Sequence, residues 1–349
     1  MAGHFVIDGV VHPYNFSREN LQGRFGELFN DTMYSYYPYV NPPEIAFSRE
    51  QWEREWQPEE FIETILLESP TDMICVHSLP IYDAYRDGLA AADKCARLKR
   101  DYPDRVLWYG GVNLCWPERA QEDLQQQIEQ GCDGIKLYPA RYEEGRTRFW
   151  RLNDEDLAFP LLEEVRRHGI RNVAIHKALP LGPVSTESMR IDDISDAANV
   201  FPEINFQIVH AGFMFVDETK FLIANHPNVY ATMEASTLFC IINPAGLQQI
   251  LTEFLLYGGP EKIIYSSAAV NPHPRIVLEA FESFRMPPDS PIQLDEAFRE
   301  AFLGGNLARL HGIDVAERRR RLADDRFARH VAEHGYRRPW TAVHGEAAA

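Results

Sequence analysis

The stretch HFVIDGVVHPYN, residues 4–15, decides how the chain is read. Its apolar core, FVIDGV at 5–10, is a buried strand interrupted by one carboxylate, Asp8. Side chains alternate along a strand. Asp8, Val10 and His12 therefore share one face and climb toward the strand's C-terminal end, where His12 stands with Val10 below it.

Working outward, the same kind of segment recurs. Short apolar runs ending in polar or small residues lie at 72–77 (DMICVH), 106–112 (VLWYGGV), 134–138 (GIKLY), 172–176 (NVAIH), 206–210 (FQIVH), 228–234 (NVYATME) and 262–267 (KIIYSS). Amphipathic stretches at 83–101, 118–130, 154–168, 190–200, 216–225 and 244–257 separate them, several opened by Asp, Asn or Pro. Strands alternating with helices predict a parallel sheet with helical crossovers, and eight strands favour a closed (β/α)8 TIM-type barrel over an open doubly wound sheet. The first crossover, 13–71, is a long insertion after the first strand, with the aromatic- and proline-rich FNDTMYSYYPYVNPPE. It reads as a lid over the pocket or as a subunit contact. The barrel spans 1–313 as one domain, and 314–349 form a charged helical tail whose arginine run reads as a solvated helix or an oligomer contact.

Composition narrows the partners. A formal net charge of −17 argues against nucleic acid and anionic membrane surfaces, though a small ligand can bind in a locally basic pocket. No run approaches the roughly twenty unbroken apolar residues of a membrane span, and no basic-then-apolar leader opens the chain; a cytoplasmic location is the expectation. The five cysteines are scattered without CxxC spacing, as for reduced, mostly buried thiols. Neither GxGxxG nor a P-loop is present, and Ser266 and Ser267 lack a nucleophile elbow.

The strand ends carry the chemistry. His77 ends the second strand, Lys136 lies in the fourth with Tyr138 just beyond, His176 ends the fifth, His210 the sixth and Glu234 the seventh. In a barrel these ends converge on one rim, where active sites of this fold lie. One histidine at a strand end is usually a hydrogen-bonded rim residue; several at equivalent ends suggest a site.

In order and spacing, VIDGVVH, GCDGIKLYP, VAIHKA, FPEINFQIVHAG, HPNVYATME, EKIIYSSA and FLGGNLARLHGI resemble the amidohydrolase superfamily over residues 4–313. The similarity is to the branch of amidohydrolase-related hydrolases and non-oxidative decarboxylases of the aminocarboxymuconate-semialdehyde and resorcylate types. The resemblance implies metal ligands at Val10, His12, His176 and Ala268, with His210 polarising a metal-bound water or moving protons. Two of those four positions carry no donor atom.

Three readings follow. In a rebuilt site, His12, His176 and Glu234, helped by His210 or His77, hold a divalent metal: zinc, iron or manganese. In a metal-free site, His210, His176, Lys136 and Glu234 transfer protons. In the third, catalysis is lost and the histidines are structural. Bland alternatives stand beside these. Glu234 can simply pair with Lys136 or Lys177, Lys136 can be an ordinary pocket lysine that attracts a substrate carboxylate, and His273 can cap the following helix instead of reaching the substrate.

The leading expectation is a metal-dependent enzyme that hydrolyses or non-oxidatively decarboxylates a small, aromatic organic acid. His210 and Lys136 are its catalytic residues, His77, Lys136, Tyr138 and His273 bind substrate, and His12, His176 and Glu234 bind metal. The alternative is an accessory or assembly protein with a protein partner, since the whole chain also resembles amidohydrolase-like proteins encoded beside bacterial di-iron propane monooxygenases. A homo-oligomer fits either reading.

Overall fold

The computed structural model describes residues 3–345. Eight parallel strands follow one another around a barrel: β1 (Ile7–Val11), β2 (Met73–His77), β3 (Val106–Val112), β4 (Gly134–Leu137), β5 (Asn172–His176), β6 (Asn205–Val209), β7 (Val229–Thr232) and β8 (Ile263–Ile264). Each is buried on both faces, as the continuous apolar runs require. The inner face holds its own apolar cluster, including Ile7, Val10, Cys75, Tyr109, Ala174 and Val209, so the barrel is a packed core below its rim.

The barrel closes between β8 and β1 without a regular ladder. Gly9 N donates to Tyr265 O (3.0 Å) and His12 N to Ala269 O (2.9 Å). Asp8 completes the seam, accepting from Ser267 N (2.9 Å) and from the Ser267 hydroxyl. β1 shifts register between Asp8 and Val11, so the strict alternation expected from Asp8 to His12 is broken by an irregularity. Gly9 sits where a Cβ would lie 2.7 Å from Tyr265 O, which explains the glycine beside the seam.

Two local departures from the pattern reading have simple causes. The helix expected over 83–101 begins at Ala92, because Leu79 and Ala90 pair as an isolated bridge across a turn with Gly88 at φ 77°. A short antiparallel hairpin, Ala140–Glu143 with Arg146–Phe149, follows β4; Glu144 and Gly145 both take positive φ, as a tight hairpin turn demands.

The insertion after β1 is largely helical. Its principal element, Gly23–Val40, lays Phe25, Phe29, Met33, Tyr37 and Val40 against the barrel rim. The arginine run lies on the helix Val315–Leu322 with Arg319, Arg320 and Arg321 exposed, as a solvated helix requires, while the chain beyond it seats on the barrel and the insertion. Arg105 grips Asp325 through two hydrogen bonds (2.6 and 2.9 Å), and Arg326 reaches Glu59 and Glu63. Glu68, fully buried, accepts from Trp340 N and Ala342 N (2.6 Å each) and meets His273 Nε2 at 2.9 Å. All five cysteines are free thiols, three of them buried. Among the described residues no helix is long and apolar enough to cross a membrane.

Candidate functional site

At the C-terminal ends of the strands a cavity of about 450 Å³ opens under the insertion. Its floor carries His12, Lys136, Tyr138, His176, His210, Glu234 and Ala268. Its walls are apolar: Phe29 and Met33 from the insertion helix, Leu79 after β2, Phe213 after β6, and Leu238 and Phe239 after β7. Tyr36 and Tyr39, 55% and 73% exposed, stand at the mouth, so the cavity communicates with solvent past two aromatic rings.

Short turns aim the floor residues inward. His210 follows β6 directly at φ 65°, and Glu234 precedes Ala235 at φ 60°; both chains leave the sheet sharply, and the side chains turn toward one another. His176 Nε2 lies 2.9 Å from Leu179 O, which only accepts, so that nitrogen carries the hydrogen. Its Nδ1 is then a bare acceptor, and His210 Nε2 donates to it at 3.0 Å. His210 Nδ1 in turn abuts Glu234 Oε2. The three side chains thus form a directed chain with one transferable proton between His210 and Glu234.

Electrostatics fix the ionisation around it. Burial would raise Glu234, but His210 beside it, by charge and by hydrogen bond, and then His12 and Lys136, hold it below the usual carboxylate range. The carboxylate form is therefore kept. His176 is driven well below ordinary histidine by burial and then by His210. Burial lowers His12 to about 4; its Nδ1 bonds to His77 O (2.9 Å), which leaves a neutral Nε2 for the cavity. Lys136 is fully buried and makes no hydrogen bond or ion pair with any described residue. Burial lowers its amine to about 8 against the opposing pull of Glu234 and Cys75.

The donor set does not fit a metal ion. Val10 and Ala268 offer hydrocarbon, and Asp8 is committed to Ser267 at the barrel seam. Both nitrogens of His176 are engaged, and Glu234 faces His210. Among the described residues no three His, Cys, Asp or Glu stand grouped to hold a metal, so His12, His176 and Glu234 do not form the expected coordination set.

The other sequence candidates divide. Lys136, Tyr138 and His210 line the cavity, with the Tyr138 ring 4.6 Å from that of His176. His77 does not reach it: the ring is buried below the floor, stacked on Tyr109 at 4.5 Å, because its strand position points into the packed layer. His273 is also withdrawn. It caps the Pro274–Ser283 helix, accepting from Arg275 N (3.3 Å), and binds Glu68. Sequence reasoning missed the apolar walls; the helical spacing of Phe29, Met33, Tyr36 and Val40 was the available signal.

The amidohydrolase profile matches residues 81–313. The chain belongs to the amidohydrolase family. Among solved structures, this family member resembles an uncharacterised TIM-barrel protein of Bordetella bronchiseptica (TM-score 0.63, 17% identity, covering 88% of this chain and 98% of the other). It also resembles 2,6-dihydroxybenzoate decarboxylase from Rhizobium (0.58, 15%, 88% and 99%). A third likeness is to the manganese-bound 5-carboxyvanillate decarboxylase of Novosphingobium aromaticivorans (0.56, 12%, 89% and 98%). At these identities the likeness shows the shared barrel. No curated protein sequence matches the chain.

Proposed function

We propose that this amidohydrolase is an enzyme acting on a small organic acid with an aromatic or otherwise apolar body, by non-oxidative decarboxylation or by hydrolysis. The observation that carries the reading is the proton-transfer chain Glu234–His210–His176 beside an unpaired lysine, on the floor of an apolar cavity. The cavity falls within the ordinary range for small-molecule sites. The solved neighbours named as decarboxylases of aromatic acids agree with it.

In the decarboxylating form, Lys136 meets the polar end of the substrate while the apolar walls take its body. The carbon–carboxyl bond breaks, CO2 departs, and the electron pair left on carbon takes the proton that His210 holds against Glu234. In the hydrolytic form, the Glu234 carboxylate accepts a proton from water as it attacks the acyl carbon, and His210 gives the leaving group its proton. Neither route uses Val10 or Ala268, and neither calls on a metal. The assembly-factor reading finds no support in the comparisons.

The test is a panel of benzoic, hydroxybenzoic, aryl oxo and lactone acids incubated with the chain and followed by mass spectrometry. Loss of CO2 or gain of water from at least one acid, absent in His210→Ala, is expected. Binding without turnover across the whole panel overturns the proposal.

A further inference from the structure

We propose that Lys136 is a nucleophile that forms an imine with the carbonyl of an oxo acid, and that this iminium is the electron sink of the site. The inference deepens the function proposed above and rests on the cavity being the active site.

The geometry sets Lys136 apart from the other lysines placed in this fold. Lys94, Lys99, Lys177 and Lys220 each bond a carboxylate, and Lys262 bonds three backbone carbonyls. Lys136 alone among these is fully buried, lines the cavity and makes no hydrogen bond or ion pair with a described residue. It lies in β4 in register with Ala174, two residues short of His176 on the neighbouring strand. Glu234, Cys75, His12, His77 and His176 are coupled to it electrostatically, and of these His12, His176 and Glu234 line the same cavity. Burial also leaves a substantial neutral fraction at neutral pH, as a nucleophilic amine needs. A decarboxylating site must receive the electron pair released with CO2. Val10 and Ala268 provide no metal for that purpose, and a protonated imine does.

The sequence of steps balances. The neutral Lys136 amine attacks the ketone carbon of a 3-oxo acid, and the carbinolamine loses water with a proton supplied through His210. The bond from the adjacent carbon to the carboxylate breaks, CO2 leaves, and the bond's electron pair forms a C=C bond while the C=N π pair moves onto nitrogen, giving an enamine. Protonation at that carbon and attack by water return the ketone and the free amine. The net change is one oxo-acid anion plus one proton giving one ketone plus CO2. The apolar walls favour an aryl or alkyl body, so the substrate class is an aryl 3-oxo acid such as benzoylacetate.

The probe is benzaldehyde with cyanoborohydride at neutral pH, which converts an imine to a stable benzylamine, read by peptide mapping on the full chain. Lys136 is expected to label about tenfold or more faster than Lys94, Lys99 and Lys220, each held as an ammonium by a carboxylate, and faster than Lys262, which burial also lowers to about 8 but which three backbone carbonyls hold. In Lys136→Met that adduct disappears and surface labelling is unchanged; Lys136→Arg, which keeps the charge, gives the same result if the methionine variant fails to fold. Labelling confined to surface lysines, with the Lys136 peptide unmodified, overturns the imine. Benzoate separates the two levels of the argument. Lys136 labelling that aromatic acids fail to protect overturns the small-acid reading and leaves the nucleophile standing. Turnover of an acid without Lys136 labelling overturns the nucleophile and leaves that reading standing.

Discussion

Replacing Lys136 by methionine removes a reactive group and should stabilise the fold. Burial carries the amine from 10.5 to about 8, and at about 1.36 kcal/mol per unit of pKa the buried ammonium costs about 3 kcal/mol where both folded and unfolded chains are protonated. The sign follows from linkage. Between about pH 8 and 10.5 the unfolded chain binds the proton and the folded chain does not, so stability rises with pH across that window. Lys136→Met fills nearly the same volume without the charge. Urea unfolding near pH 7 should therefore find the variant more stable by about 3 kcal/mol, and near pH 10 by less than about 1 kcal/mol. Benzaldehyde trapping at this site should vanish in the same variant, a trade of activity against stability of the kind active sites show. A variant less stable than the native chain at both pH values, or a gap that does not shrink with pH, refutes the reasoning, because the amine would then be paired in solution.

Other perturbations address separate parts of the account. His210→Ala should lower turnover by about 10²- to 10⁴-fold with KM changed far less, and Glu234→Gln should lower it through the same proton, both read by steady-state kinetics. Restoring donors in a Val10→His, Ala268→Asp double variant should raise bound zinc or manganese well above that of the native chain by elemental mass spectrometry; no gain would show that the floor is not limited by those two side chains. Glu68→Ala removes the buried carboxylate that accepts from three donors, Trp340 N, Ala342 N and His273, and leaves them unpaired. It should cost about 3 kcal/mol or more and expose the tail to limited proteolysis, with the cavity chemistry retained.

The barrel was legible because its strands are apolar on both faces and its helices are amphipathic, so strand positions read from sequence agree with the structure to within a few residues. The rim histidines were legible for the same reason: period two places His176 and Lys136 on the inner face. Partners were not legible. That His210 spends one nitrogen on His176 and the other on Glu234 depends on two positive-φ turns, at His210 and Ala235, which no periodicity announces. His77, at a strand end, and His273, on the loop after β8, both lie outside the cavity, one stacked on Tyr109 and one bonded to Glu68, 205 residues away in sequence. The seam at Asp8 was equally hidden, because its partner Ser267 lies 259 residues further along. Long-range pairing decides each of these cases, and local pattern carries none of it.

The central claim is that the chain's own proton-transfer residues and Lys136 perform the chemistry. The most direct measurement follows turnover of an aromatic or aryl oxo acid and metal content on the same samples, for the native chain and His210→Ala, before and after exhaustive chelation. Turnover that survives chelation and is lost in His210→Ala is the result the account predicts. Turnover that falls with removed metal, returns in proportion to added metal, or persists in His210→Ala contradicts it.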